Sequence, residues 1–79
     1  MENKIAIIGI IVKDHDSADC LNSILHEYSA HIIGRMGLPY KEKDFYIISI
    51  VIDGPHEVVE KLASKIAELE GVSAKTLYA

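Results

Sequence analysis

The sequence predicts an α+β domain of the ferredoxin-like class, a β-α-β-β-α-β sandwich with a four-stranded antiparallel sheet and two helices on one face. Three observations predict it. Two dense β-branched runs stand at residues 4–13 and 45–53. Two stretches between and after them carry apolar residues at helical spacing. Each helical stretch follows a strand and is followed by another, which gives two split βαβ units with right-handed crossovers. In that topology the first and third strands are central and the second and fourth are edges. The most apolar runs are indeed the first and third.

The first strand is "KIAIIGIIVK", residues 4–13, too rich in isoleucine and valine for an ordinary surface helix. "DHDS" then reads as a loop ending in a helix cap, with Asp16 or Ser17 accepting from the free N–H groups of the first turn. Ala18, Leu21, Ile24, Leu25 and Tyr28 follow at one-face helical spacing. Residues 30–37 read as a weaker second strand, and "LPYKEKD" as a polar turn opened by Pro39. "FYIISIVID", residues 45–53, is the third strand. Asp53 or Gly54 is the expected cap of the second helix, with Pro55 in its first turn. Val58, Val59, Leu62, Ile66 and Leu69 give that helix its buried stripe, and Gly71 stops it. "VSAKTLYA" closes the chain as the fourth strand.

The chain has 79 residues and a net charge of −4. One domain of this size buries only about 60% of the surface its unfolded form exposes, so oligomerisation is a natural supplement to its core. Phosphate contacts with nucleic acid want a basic face. Here Lys61 and Lys65 on the second helix are surrounded by Glu57, Glu60, Glu68 and Glu70, so direct nucleic-acid binding is not expected. The apolar start is too short to span a membrane and lacks a small-residue cleavage site. The expectation is a cytoplasmic chain with no membrane partner. Cys20 is the single cysteine. It forms no internal disulfide or zinc pair and reads as a small buried hydrophobe.

One pattern has consequences for function. Helices cover one face of a two-layer sandwich, and the other face should alternate to polar. In the first strand, Ala6, Ile8, Ile10 and Val12 oppose Ile5, Ile7, Gly9 and Ile11. In the third, Tyr46, Ile48, Ile50 and Ile52 oppose Phe45, Ile47, Ser49 and Val51. Both faces are apolar, and a patch of that size marks a partner or ligand. We assign Ile5, Ile7, Gly9, Ile11, Phe45, Ile47, Ser49 and Val51 to the outward face and to a homo-oligomer interface, dimeric or tetrameric. The alternate set is more uniformly aliphatic and suits a covered core. An edge residue such as Ile33 would add a seventh apolar side chain, and Gly9 and Ser49 would let a second sheet pack close.

The candidate ligand contacts are Asp14, His15 and Asp16 in the first loop, and Gly34, Arg35 and Gly37 in "HIIGRMGLPY". The first group either meets a ligand or metal at a helix N-terminus or is a solvated capping loop. Arg35 either grips a carboxylate or phosphate, with the glycines permitting close approach, or is a solvated edge-strand residue beside a bulge. His26, His31 and His56 are scattered and lack metal-ligand spacing. No catalytic arrangement, cofactor motif or metal motif is present. An acylphosphatase-like enzyme would need an arginine in the first loop, an RNA-recognition fold an aromatic glycine-rich third strand, and a heavy-metal-associated domain a Cys-x-x-Cys pair.

With these stretches placed, the chain resembles the iron-only hydrogenase system regulators, stand-alone ACT-like domains similar in fold to the C-terminal domain of NikR-type nickel regulators. The resemblance runs through "IAIIGIIVKD" (5–14), "LHEYSAHIIGRMGLPY" (25–40), "IISIVIDGP" (47–55) and "GVSAKTLYA" (71–79). It implies a cytoplasmic, non-enzymatic regulatory module that is oligomeric through its sheets. Such a module senses a small-molecule effector or works with a separate DNA-binding protein partner. Two departures limit the carry-over. "DHDSADC" lacks the glycine usual where amino-acid-binding ACT domains enter their first helix, and "FYIISIV" lacks the strand histidines of a nickel sensor. An oligomeric scaffold without ligand is the second expectation, and a small ferredoxin-like enzyme the third.

Overall fold

A computed structural model describes residues 3–79. Its elements are β1 (Asn3–Val12), a single 3₁₀ turn (His15–Ser17), α1 (Ala18–Glu27), β2 (Ile32–Tyr40), β3 (Phe45–Pro55), α2 (His56–Ala67) and β4 (Val72–Tyr78). All four strands join one antiparallel sheet in the order β2-β3-β1-β4. This is the expected ferredoxin-like sandwich, with β1 and β3 in the centre.

The core is built from one alternate set of each central strand. Ala6, Ile8, Ile10 and Val12 from β1 and Ile48, Ile50 and Ile52 from β3 are all buried. They meet Leu21 and Leu25 of α1 and Val59, Leu62 and Ile66 of α2. The helical residues recur at three- and four-residue steps, which is why each helix presents one apolar stripe to the sheet. Fully burying a side chain of this kind contributes roughly 1.5–3 kcal/mol.

Several boundaries differ from the sequence expectation. β2 runs on through Leu38, Pro39 and Tyr40, and the turn begins at Lys41. Pro39 pairs with Tyr46 at the sheet edge, a position that tolerates a missing N–H. β3 continues through Asp53 and Gly54 to Pro55, because β1 still pairs there: Ile5 opposes Asp53 and Lys4 opposes Gly54. Pro55 therefore precedes α2 rather than lying inside it, and no side chain caps that helix. In the first loop the capping acid is Asp14, whose side chain accepts from the Asp16 N–H at 3.0 Å. Ser17 instead donates from Oγ to the Glu70 carbonyl at 2.7 Å. Cys20 is exposed, because Leu21 and Leu25 take the inward face of α1.

Gly71 lies after α2 with φ of 70°, the left-handed conformation that glycine adopts at least cost. A Cβ there would also collide with the Asp14 side chain. The glycine thus ends the helical region and lets the α2–β4 turn close against the first loop. The Lys13 N–H donates to its carbonyl at 2.7 Å.

Candidate functional site

The open face of the sheet is the largest feature the fold leaves unpartnered. Its composition follows from pairing, because directly opposed residues share a face. Three rows cross all four strands. Gly34, Val51, Ile7 and Leu77 form one; Met36, Ser49, Gly9 and Lys75 the next; Leu38, Ile47, Ile11 and Ser73 the third. Tyr40 opposes Phe45 beyond the third row, and Ile5 opposes Asp53 before the first. The large side chains remain well exposed: Ile7 is 42%, Leu38 57% and Leu77 67% exposed, whereas Ile8, one residue along β1, is at 0%.

The eight residues assigned to an oligomer interface from sequence all lie on this face. β2 adds Met36, Leu38 and Tyr40; the sequence reading left out the last two by ending the strand at residue 37. Ile33 sits at a register irregularity between Ile32 and Gly34. Among the described residues the charged groups on the face are Lys13, Asp53 and Lys75. The Lys13 ammonium lies over the Phe45 ring, 5.7 Å from its centroid. The middle row forms a dip of about 340 Å³, floored by Gly9 and walled by Ile11, Ile47, Ser49, Ser73 and Lys75.

The glycines separate into two groups. A Cβ on Gly37 would lie 2.5 Å from the Tyr46 hydroxyl, and one on Gly54 would lie 3.1 Å from His31 Nδ1. Gly71 has its backbone conformation. Each of these is accounted for within the monomer. Gly9 and Gly34 are different: a Cβ at either meets nothing within 4 Å, and neither has a positive φ. Glycine inside a strand costs roughly 0.5–1 kcal/mol relative to alanine. Both lie on the open face.

The residues proposed as ligand contacts do not form one site. Gly34 faces the open side, while Arg35 opposes Ile50 and Gly37 opposes Ile48 on the helix side. Arg35 donates to Asn22 Oδ1 at 3.2 Å and lines a groove of about 380 Å³ between α1 and β2, with His26 and Ser29 at its rim. Asp14, His15 and Asp16 stand at the far end of β1. His15 Nε2 meets the Asp44 carbonyl at 2.8 Å and its carboxylate at 3.1 Å. That backbone hydrogen bond, then the nearby carboxylate, raises the His15 pKa above its ordinary value. With the Asp14 cap and the Ser17 and Lys13 bonds, the Asp14, His15 and Ser17 side chains are engaged by their own neighbours.

A wider groove of about 560 Å³ lies between the helices and includes Glu27, Tyr28, Glu60 and Lys65. Of its two lysines, Lys61 and Lys65, the second is paired with Glu27 at 3.3 Å and sits over the Tyr28 ring. At the other end of α2, Tyr78 donates to Glu60 and stacks on His56. Burial, then that hydrogen bond, pushes the Tyr78 phenol up to about 12. Among the described residues no cluster of three or more His, Cys, Asp or Glu is arranged to hold a metal ion, and no helix is long and apolar enough to cross a membrane.

Fold and surface together define a class: a small ferredoxin-like sandwich whose second sheet face is apolar. The chain belongs to the TM1266-like family, described as "Iron-only hydrogenase system regulator, putative", which it matches over residues 4–76. Among solved structures it is similar to the uncharacterized protein TM1266 from Thermotoga maritima, with 28% identity, a TM-score of 0.93 and 98% of each chain covered. Two others share the fold. A formyltetrahydrofolate deformylase from Pseudomonas putida KT2440 has 11% identity and a TM-score of 0.66; 92% of this chain covers 28% of that one. CPII, a nitrogen regulatory PII-like protein from Thiomonas intermedia K12 bound to ADP, AMP and bicarbonate, has 13% identity, a TM-score of 0.50 and coverage of 100% and 99%. No curated protein matches.

Proposed function

We propose that this chain is a non-enzymatic, cytoplasmic regulatory domain of an iron-only hydrogenase system. Two copies pair through their open sheet faces, and the assembly senses a small effector or a protein partner. One observation carries the reading: the face away from the helices keeps Ile5, Ile7, Ile11, Met36, Leu38 and Leu77 exposed, and a Cβ at its central Gly9 would meet nothing within the monomer. Four strands about 4.8 Å apart and roughly 30 Å long present about 570 Å² in plan. Two such faces clear the roughly 1,000 Å² that a specific interface needs. The occupant that fits is a second copy, because sheets pack face to face at about 10 Å with interdigitated aliphatic side chains.

The Arg35 groove is the proposed contact for an anionic group of the effector or partner, with Arg35 and Asn22 as donors. The first loop is the weaker candidate, since His15 and Ser17 are already bonded to Asp44 and Glu70 and Asp14 caps the turn. With a net charge of −4, any effect on transcription would pass through a separate DNA-binding protein. Sedimentation velocity at micromolar concentration tests the pairing. A monomer overturns it. A stable pair whose melting temperature and assembly respond to no molecule in a metabolite screen would identify a scaffold instead of a sensor.

A further inference from the structure

We infer that pairing turns the dip over Gly9 into a closed chamber that takes a small apolar molecule bearing one negative charge. The inference rests on the face-to-face pairing proposed above and concerns a place separate from the Arg35 groove.

The chamber follows from the row Met36, Ser49, Gly9 and Lys75. The rows on either side carry Val51 with Ile7 and Ile47 with Ile11, so the middle row is a trough between two aliphatic ridges. Its floor has no side chain at Gly9 and a small one at Ser49. Nothing in the monomer requires this, since a Cβ at Gly9 would stand in open space. Glycine inside a strand often marks close approach by a ligand or another backbone. A dimer axis lying in the interface and passing over Gly9 brings two dips of about 340 Å³ together. The enclosed volume is then about twice that, within the roughly 300–1,000 Å³ of small-molecule sites.

The polar groups on the dip select the ligand. Ser49 and Ser73 supply hydroxyls, and Lys75 supplies the charge. Covering the face with a second sheet strips water from the Lys75 ammonium, which is costly without a partner. The carboxylate on the same face, Asp53, lies two rows away along the strands, about 13 Å. Lys13, the other cation, is over Phe45. An anionic group on the ligand meets the need at Lys75, and an apolar body suits the Ile11 and Ile47 wall of the dip.

The straight-chain carboxylic acids from hexanoate to dodecanoate serve as probes in titration calorimetry, with sedimentation run on every sample. Saturable binding by at least one acid is expected, with the matching alcohol at least tenfold weaker. Lys75→Met keeps the stem, loses the charge and should weaken the acid at least tenfold. Gly9→Leu and Ser49→Val fill the dip from neighbouring strands, and a variant that still pairs should lose binding. The chamber is overturned if paired wild type binds none of the acids, if the alcohol binds as well as the acid, or if a paired, filled variant binds normally. It is overturned too if neither filled variant pairs, because the opposite sheet then occupies the dip. A monomeric wild type instead refutes the pairing itself.

Discussion

Replacing Ile7 by glutamate separates the two roles of β1. Ile7 is 42% exposed in the monomer, on the row with Gly34, Val51 and Leu77. Its carboxylate would stay in water, so the fold loses about 1–2 kcal/mol from the burial Ile7 already has in the monomer and from strand preference. The pair loses far more. Full burial of isoleucine is worth roughly 1.5–3 kcal/mol, so the exposed fraction contributes about 0.6–1.3 kcal/mol per copy on pairing. Each copy then also buries an uncompensated carboxylate at a cost of several kcal/mol. The sum is at least about 5 kcal/mol per pair, or more than a thousandfold in dissociation constant at about 1.4 kcal/mol per tenfold. Sedimentation velocity should show Ile7→Glu as a folded monomer where wild type is paired, with urea unfolding to check the fold. The same change at Ile8, fully buried against the helices, should unfold the chain. An Ile7→Glu variant that associates like wild type refutes the reasoning.

Three further outcomes follow. Gly71→Ala forces a side chain into a left-handed turn and against Asp14, and should cost about 1–3 kcal/mol in urea unfolding; a change under about 0.5 kcal/mol contradicts the packing of the first loop. Arg35→Ala removes an exposed bond to Asn22, so stability should stay within about 0.5 kcal/mol and sedimentation should not change; a large loss in urea unfolding would make Arg35 a structural residue and end its candidacy as a contact. His15 has a pKa raised by Asp44, so its protonation favours the folded state. That contribution is complete below the unfolded pKa of about 6.5 and is lost as pH rises through the higher folded value. The urea midpoint should therefore fall more between about pH 6 and pH 8 in wild type than in His15→Ala, and equal slopes would remove the assignment.

The fold was legible because β1 and β3 are β-branched on both faces, which fixes them as central strands and signals a face without helices. The set containing Gly9 and Ser49 could be placed outward because the other set is uniformly aliphatic. What the sequence concealed depends on residues distant along the chain. Pro39 resembles a turn opener, and only its place on an edge beside Tyr46 keeps it in β2. Gly37 looked like a ligand approach until the Tyr46 ring, nine positions later, accounted for its missing side chain. Asp14 caps the first turn because a 3₁₀ turn begins at His15, which puts the cap two residues before Asp16. Cys20 lies one position off the buried stripe, a difference that depends on the rotation of α1 against the sheet.

The strand order also bears on how the molecule is made. β1 pairs with β3 and β4 and with nothing nearer in the chain. Its first partner begins at Phe45, after α1 and β2 have been synthesised. Until then "IAIIGIIV" is an unpaired ribbon without charge or proline, the composition that favours self-association between chains. Pairings of such long sequence separation also slow folding relative to helical proteins of this size. The run that supplies both a core and an open apolar face is therefore the segment most exposed to misassembly during synthesis, with Lys4 and Lys13 at its two ends as charged guards.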